Sequence, residues 1–289
     1  MEDFTTTTEL KTSHYEENLR RALSIIEKFI KEMGYYENKH VLGIFFCGSY
    51  LTGFNHKNSD IDLQIIFDNQ DKERLIRGSK YIDGIRIEYF EKPIADIYQS
   101  IENDYNNQNN ALLSIIGTSK IIFDKIGALK TLQYYTVQKF SNPLPPMSLE
   151  EARECVSILN NRMEKLRKAA LENNPYFHHL YHLTLEKIRK FYHRLNGLPK
   201  VQTSKVFRVY TDEEYRKSFY KTNIPEAEFV NAYLEAITDM SLDMEMKLQR
   251  VEDLFNYAKR NVLFNEEEYR IMIRSRNKNT DYSHLKFQD

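Results

Sequence analysis

Two aspartates, Asp60 and Asp62, stand one residue apart in "FFCGSYLTGFNHKNSDIDLQIIF", Phe45 to Phe67, at the start of an apolar run. Residues two apart on a strand share a face, so the two carboxylates lie side by side while Ile61, Leu63 and Ile65 point the other way. Like charges this close resist joint ionisation unless a cation compensates them. A hard divalent ion such as Mg2+ accepts carboxylate oxygens and completes its shell with water and phosphate oxygens, so the pair calls for magnesium and a phosphate ligand. Neighbouring residues suit the same chemistry. Gly48-Ser49 closes the preceding apolar run; a glycine there admits a close backbone approach, and a short helix after it would offer N–H groups to phosphate. Lys57 and Ser59 add a charge and a hydroxyl suited to anionic oxygens, and Glu88 on a nearby strand completes a carboxylate triad able to hold two metal ions.

These residues need a sheet behind them. "HVLGIFFCG" and "DIDLQIIF" read as strands with a polar loop between them. "DGIRIEYFEKP" reads as a third strand, entered by a turn-forming Asp-Gly, with Ile85, Ile87 and Tyr89 on one face and Arg86 and Glu88 on the other. A capping box at Ser13 and Glu16 predicts an amphipathic helix through Leu19, Leu23, Ile26, Ile30 and Met33 to Gly34. Pro93 opens a helix to about Tyr105, "SKIIFDKIG" forms a short strand, and "ALKTLQYYTVQKF" returns to helix. The prolines of "SNPLPP", Ser141 to Pro146, mark a linker. Beyond it the pattern is helical. Ser148 and Glu151 cap a long helix with a face of Ala152, Cys155, Leu159, Met163, Leu166 and Ala170, and Asn174-Pro175 starts another with Phe177, Tyr181, Thr184, Ile188, Phe191 and Leu195. Thr211 with Glu214 caps a short helix, and Pro225 begins a broken helical stretch towards Leu263. The fold class expected is α+β: a small mixed sheet in a domain spanning 1–142, then an α-helical bundle spanning 147–289.

Composition narrows the function little. The 289 residues suffice for two domains, and 41 Lys plus Arg against 42 Asp plus Glu leave a formal net charge of −1. That balance provides no global attraction for nucleic acid or for acidic membranes. Cys47 and Cys155 are the two cysteines, too few for a disulfide framework or a zinc site, which points to a reducing compartment, the cytoplasm. The acidic, polar start of the chain lacks the basic and then apolar order of a signal peptide, and no apolar run reaches membrane-spanning length. His178 and His182, four apart in "FHHLYH", have the spacing of a helical metal pair, but no Glu stands between them and their neighbours look like core.

Taken together, Gly48-Ser49, Gly53, Ser59-Asp60-Ile61-Asp62-Leu63 and the acid of "IRIEYF" resemble the nucleotidyltransferase superfamily, whose N-terminal fold is shared with DNA polymerase beta. The resemblance spans roughly Ile30 to Lys130, and the helical second half is similar in layout to aminoglycoside and lincosamide nucleotidyltransferases. It implies that Asp60 and Asp62 bind two Mg2+ ions with help from Glu88, and that Gly48, Ser49 and Ser59 hold a nucleoside triphosphate, ATP being the expected one. An acceptor hydroxyl on a small molecule then attacks the α-phosphorus and pyrophosphate leaves. Some members of the superfamily draw a general base from a further carboxylate. Glu186 in "YHLTLEKIRKFYHRLNG" is the candidate, with Lys187 and Arg189 as cations within reach of phosphate; a solvated helix face laced with ion pairs is the plainer reading of the same residues. Two alternatives stay open: a protein or tRNA acceptor of the toxin and antitoxin kind, and a nucleotide-binding regulator without turnover. Near-neutral charge weighs against tRNA. No membrane partner is expected, and nothing in the sequence speaks to oligomeric state.

Overall fold

The apolar stripe of the N-terminal helix becomes one layer of a computed structural model that describes residues 4–70, 76–219, 224–238, 240 and 243–264. Helix α1 (Phe4–Met33) starts upstream of Ser13, so the Ser13 and Glu16 capping box does not begin it. Continuing the backbone ladder through the Thr-rich turn satisfies N–H groups that a cap at Ser13 would leave to side chains. The chain then forms β1 (Val41–Cys47), a one-turn helix α2 (Ser49–Thr52), β2 (Ile61–Phe67), β3 (Ile76–Ile82) and β4 (Ile85–Pro93). After these come α3 (Ile94–Asn106), α4 (Ala111–Gly117), β5 (Lys120–Asp124) and α5 (Ala128–Ser141).

The five strands make one mixed sheet in the order β3-β4-β2-β1-β5. Strand β2 pairs parallel with β4; the other three pairings are antiparallel. Alternation along the strands divides the core in two. Ile44, Phe46, Ile61, Leu63, Ile65 and Ile87 pack against Ile25, Ile26, Phe29 and Ile30 of α1, whereas Phe45 and Ile66 on the other face pack with Ile97, Leu113, Ile116 and Leu129 of α3 to α5. Strand β3 and helix α4 were not expected from the sequence. The Asp83-Gly84 turn joins β3 to β4, with φ of 49° and 77°, the pair of positive values that a two-residue hairpin of matching twist needs.

Beyond the proline-rich linker lie α6 (Leu149–Leu171), α7 (Phe177–Leu195), a 3-10 turn (Thr203–Lys205), α8 (Val206–Thr211), α9 (Glu213–Phe219), α10 (Ala227–Thr238) and α11 (Met244–Lys259). The Ser148 and Glu151 capping box forms as expected at the start of α6, and the buried face of α6 runs Ala152, Val156, Leu159, Met163, Leu166 and Ala169. The cap of α9 is Asp212 rather than Thr211: its Oδ1 accepts from the Tyr215 N–H at 2.9 Å, and a carboxylate is the better N-cap. Architecture is therefore α+β, a mixed sheet flanked by helices followed by a helical region.

The chain divides into two compact units, Met1–Pro145 with Arg208–Thr222, and Pro146–Phe207 with Asn223–Asp289. The division expected from sequence, 1–142 and 147–289, differs from this at Arg208–Thr222. Side-chain packing explains the difference: the Arg208 guanidinium lies 4.6 Å from the Phe54 ring centre and 4.3 Å from that of Tyr215, and the two rings meet edge-on at 5.3 Å. Among the described residues no helix is long and apolar enough to cross a membrane.

Candidate active site

Strand register brings Asp62 and Glu88 together. Asp62, second residue of β2, is paired with Cys47 across β1 and with Glu88 across β4. Because Ile61, Leu63 and Ile87 fill the α1-side core, Asp62 and Glu88 stand side by side on the opposite face, with the strands about 4.8 Å apart. Asp60 lies just ahead of β2, outside the ladder. Its Oδ2 is 3.8 Å from Nη1 of Arg86, whose Nη2 donates to Oε1 of Glu88. Arg77 on β3 adds a second guanidinium, 3.6 Å from Glu88 Oε2.

The turn at the end of β1 is shaped around Asp62. Gly48 has φ of 87°, a left-handed conformation that favours glycine. A Cβ there would stand 2.1 Å from Asp62 Oδ2, so the missing side chain is what lets this carboxylate lie against the turn. Ser49 then begins α2, and its carbonyl accepts the N–H of Phe54 at 3.0 Å after Gly53 turns the chain with φ of 77°. The phenol of Tyr15 on α1 donates to the Leu51 carbonyl at 2.9 Å, tying α2 to the helix behind the sheet. In the loop that follows, Ser59 Oγ accepts from the His56 N–H at 2.9 Å, and Lys57 is exposed at the turn. Beside Asp62, burial and the Asp62 charge push the Cys47 thiol well above its ordinary pKa, which leaves it a packing residue rather than a nucleophile.

Among the described residues, no group of three or more His, Cys, Asp or Glu is gathered closely enough to hold a metal ion. The donor set nevertheless has the chemistry a divalent ion needs: Asp60, Asp62 and Glu88 offer hard oxygens, Gly48 leaves room beside Asp62, and a guanidinium already occupies the cationic position between Asp60 and Glu88. Arg86 was not singled out from the sequence. The signal was present, since the alternation of β4 puts it on the same face as Glu88, two residues away. Arg77 lay on the strand that sequence reading missed.

Glu186 and Lys187 belong to α7 in the second unit. Glu186 accepts from Arg189 through both oxygens, Nε at 3.1 Å and Nη2 at 2.8 Å. Thr203 Oγ1 donates to it at 2.7 Å and Lys190 Nζ lies at 2.9 Å. Burial raises its pKa, but the bonds from Arg189 and Thr203 outweigh burial and hold the carboxyl below its ordinary range. Arg189, wholly buried, also donates to the Val201 carbonyl at 3.1 Å. These bonds fix the chain after α7 to the helix, and Lys187 is exposed. His178 takes part in a helix-to-helix contact, its Nδ1 lying 3.5 Å from Lys247 Nζ on α11.

Residues 23–110 match the family model described as a nucleotidyltransferase domain. No curated protein matches the chain. Among solved structures, a nucleotidyltransferase-like protein from Exiguobacterium sibiricum 255-15 is similar at 12% identity, covering 83% of this chain and 74% of that one with a TM-score of 0.46. The matched segment contains Gly48, Ser49, Asp60, Asp62 and Glu88 and the strands that position them, so this chain carries a nucleotidyltransferase domain over residues 23–110.

Proposed function

We propose that the protein transfers a nucleoside monophosphate, AMP from ATP, to a hydroxyl of a small-molecule acceptor of the aminoglycoside or lincosamide kind, with release of pyrophosphate. The observation that carries the reading is the parallel register of Asp62 with Glu88, with Gly48 making room for the Asp62 carboxylate. In this proposal Asp60, Asp62 and Glu88 would hold two Mg2+ ions, which, when bound, lower the pKa of an attacking hydroxyl and neutralise charge on the leaving oxygens. Gly48 and Ser49 present backbone N–H groups to the triphosphate, and Lys57 and Ser59 supply a charge and a hydroxyl from the loop. The acceptor oxygen forms a bond to the α-phosphorus, the bond from that phosphorus to the bridging oxygen breaks, and pyrophosphate leaves with the electron pair. The hydroxyl proton passes to Glu88. Glu186 is assigned an anchoring role in the helical unit, because its carboxylate is already engaged by Arg189, Lys190 and Thr203.

The test is mass spectrometry after incubation with Mg2+, each common nucleoside triphosphate, and a panel of aminoglycosides, lincosamides, tRNA and the protein itself. The expected product is an antibiotic heavier by one nucleoside monophosphate. Asp62→Asn is expected to lower its formation about a thousandfold, equivalent to ~4 kcal/mol of barrier. Full activity in that variant would remove the carboxylate site from the mechanism. Labelling of tRNA or protein alone would replace the small-molecule acceptor with a macromolecular one, and nucleotide binding without pyrophosphate release would identify a regulator.

A further inference from the structure

We propose that Arg86 is a built-in counter-charge of the carboxylate site, which a divalent ion must displace to reach Asp60 and Glu88, so that this arginine sets the metal concentration at which the enzyme loads. The inference rests on the two-ion reading above and concerns a residue that reading does not use.

Geometry supports it at three points. Arg86 precedes Glu88 by two residues on β4, so both side chains emerge on the same face. Its two terminal nitrogens divide between two different carboxylates, Nη1 at 3.8 Å from Asp60 Oδ2 and Nη2 on Glu88 Oε1. A guanidinium keeps its charge at every working pH, so the competition cannot be relieved by deprotonation. Finally, Arg86 is 43% exposed and Glu88 17%; the guanidinium can swing into water, and the arriving divalent ion takes its place as the counter-charge of Glu88. Asp60 and Glu88 each face one terminal nitrogen of the guanidinium fork.

Arg77 provides the internal control. It also carries a positive charge near Glu88, at 3.6 Å, but from β3 and without a pairing to Asp60, and it is 69% exposed. If charge alone governed metal affinity, removing either arginine would have the same effect. If Arg86 competes for the ligands themselves, only its removal matters.

The experiment is Mn2+ binding to the full chain, read from loss of the free-ion electron paramagnetic resonance signal, which does not depend on turnover. Wild type, Arg86→Ala, Arg86→Lys, Arg77→Ala and Asp62→Asn are compared, each first shown to keep the wild-type thermal unfolding midpoint within a few degrees. Arg86→Ala is expected to tighten Mn2+ binding about fivefold, the scale of an exposed ion pair worth ~1 kcal/mol. Arg77→Ala should change it less than about twofold, and Arg86→Lys should fall between, since an ammonium cannot bridge two carboxylates as a fork does. Wild-type binding that is lost in Asp62→Asn, with Arg86→Ala no tighter than Arg77→Ala, overturns the inference and leaves the two-ion reading standing. Absence of Mn2+ binding in wild type, at millimolar ion, overturns both. Should Arg86→Ala fail to fold, Arg86→Lys decides: affinity equal to wild type overturns the proposal, and tighter binding supports it.

Discussion

Two Glu-Arg pairs in this molecule use the same chemical groups for opposite ends. At the sheet, Glu88 meets Arg86 two residues earlier on a strand, with side chains 17% and 43% exposed. In the helical unit, Glu186 meets Arg189 three residues later on a helix, with side chains 15% and 0% exposed. The carboxylates are almost equally covered, so burial of the acid does not distinguish them. The arginine does. Arg189 is sealed in and bonded to backbone as well as to Glu186, so its charge has no other place to go. Arg86 is at the surface and can be exchanged for another cation. A locked pair fixes a loop; an exchangeable pair leaves the carboxylate oxygens open to another cation.

The largest effect expected from this comparison is on stability. Arg189→Ala should cost on the order of 3 to 5 kcal/mol by leaving Glu186 without its principal partner and a cavity around it, whereas Arg86→Ala should cost less than about 1 kcal/mol. Urea unfolding followed by circular dichroism measures both, and equal costs would break the distinction. Next is an acid dependence that originates in the locked region. His193, buried beside Arg189 and donating through Nδ1 to the Pro199 carbonyl at 2.8 Å, has its pKa pushed down by burial from 6.5 to about 4. The unfolded chain therefore takes up a proton below about pH 6.5 that the folded chain refuses until about pH 4. Stability is complete above that window and falls as pH drops through it, by on the order of 3 kcal/mol in all. His193→Gln should flatten the dependence, and an unchanged slope would remove His193 as its source. A smaller stability effect than that of His193 belongs to Gly48→Ala. The added Cβ forces Asp62 Oδ2 to move and strains a left-handed residue, so stability should fall by about 1 kcal/mol while transfer falls at least about tenfold. Wild-type transfer in this variant would show that the placement of Asp62 tolerates displacement.

The contrast also marks what the sequence could disclose. Asp62 and Glu88 were legible because each lies in a strand whose alternating isoleucines enter a core, and that pattern survives in one dimension. Asp60 was read as part of the same strand, but it stands one residue before the ladder begins, a boundary that apolar periodicity does not resolve. Strand β3, "IRGSKYI", escaped notice because an edge strand with one largely solvated face needs few apolar residues, and Gly78, its third residue, reads as a break. The structure shows the reason for the glycine: a Cβ at Gly78 would lie 2.3 Å from the Tyr89 ring. Arg189 was hidden for a different reason. Its charge argued for solvent, and only the meeting of Glu186, Thr203 and Val201 in three dimensions makes burial tolerable. Sequence patterns record which face an apolar side chain takes; they do not record which charges will find partners.

The direct pairing of Asp62 with Glu88 has a consequence for how this protein can change over generations. Strand faces alternate with every residue, so deleting a single position between Ile85 and Glu88 while the pairing ahead of it holds would bring Tyr89 to the level of Asp62 and turn the glutamate into the α1-side core. Point substitutions can adjust charge and fit around the acids one step at a time. Insertions and deletions within β2 and β4 have no such gradual path, and lineages of this chain should vary in length elsewhere.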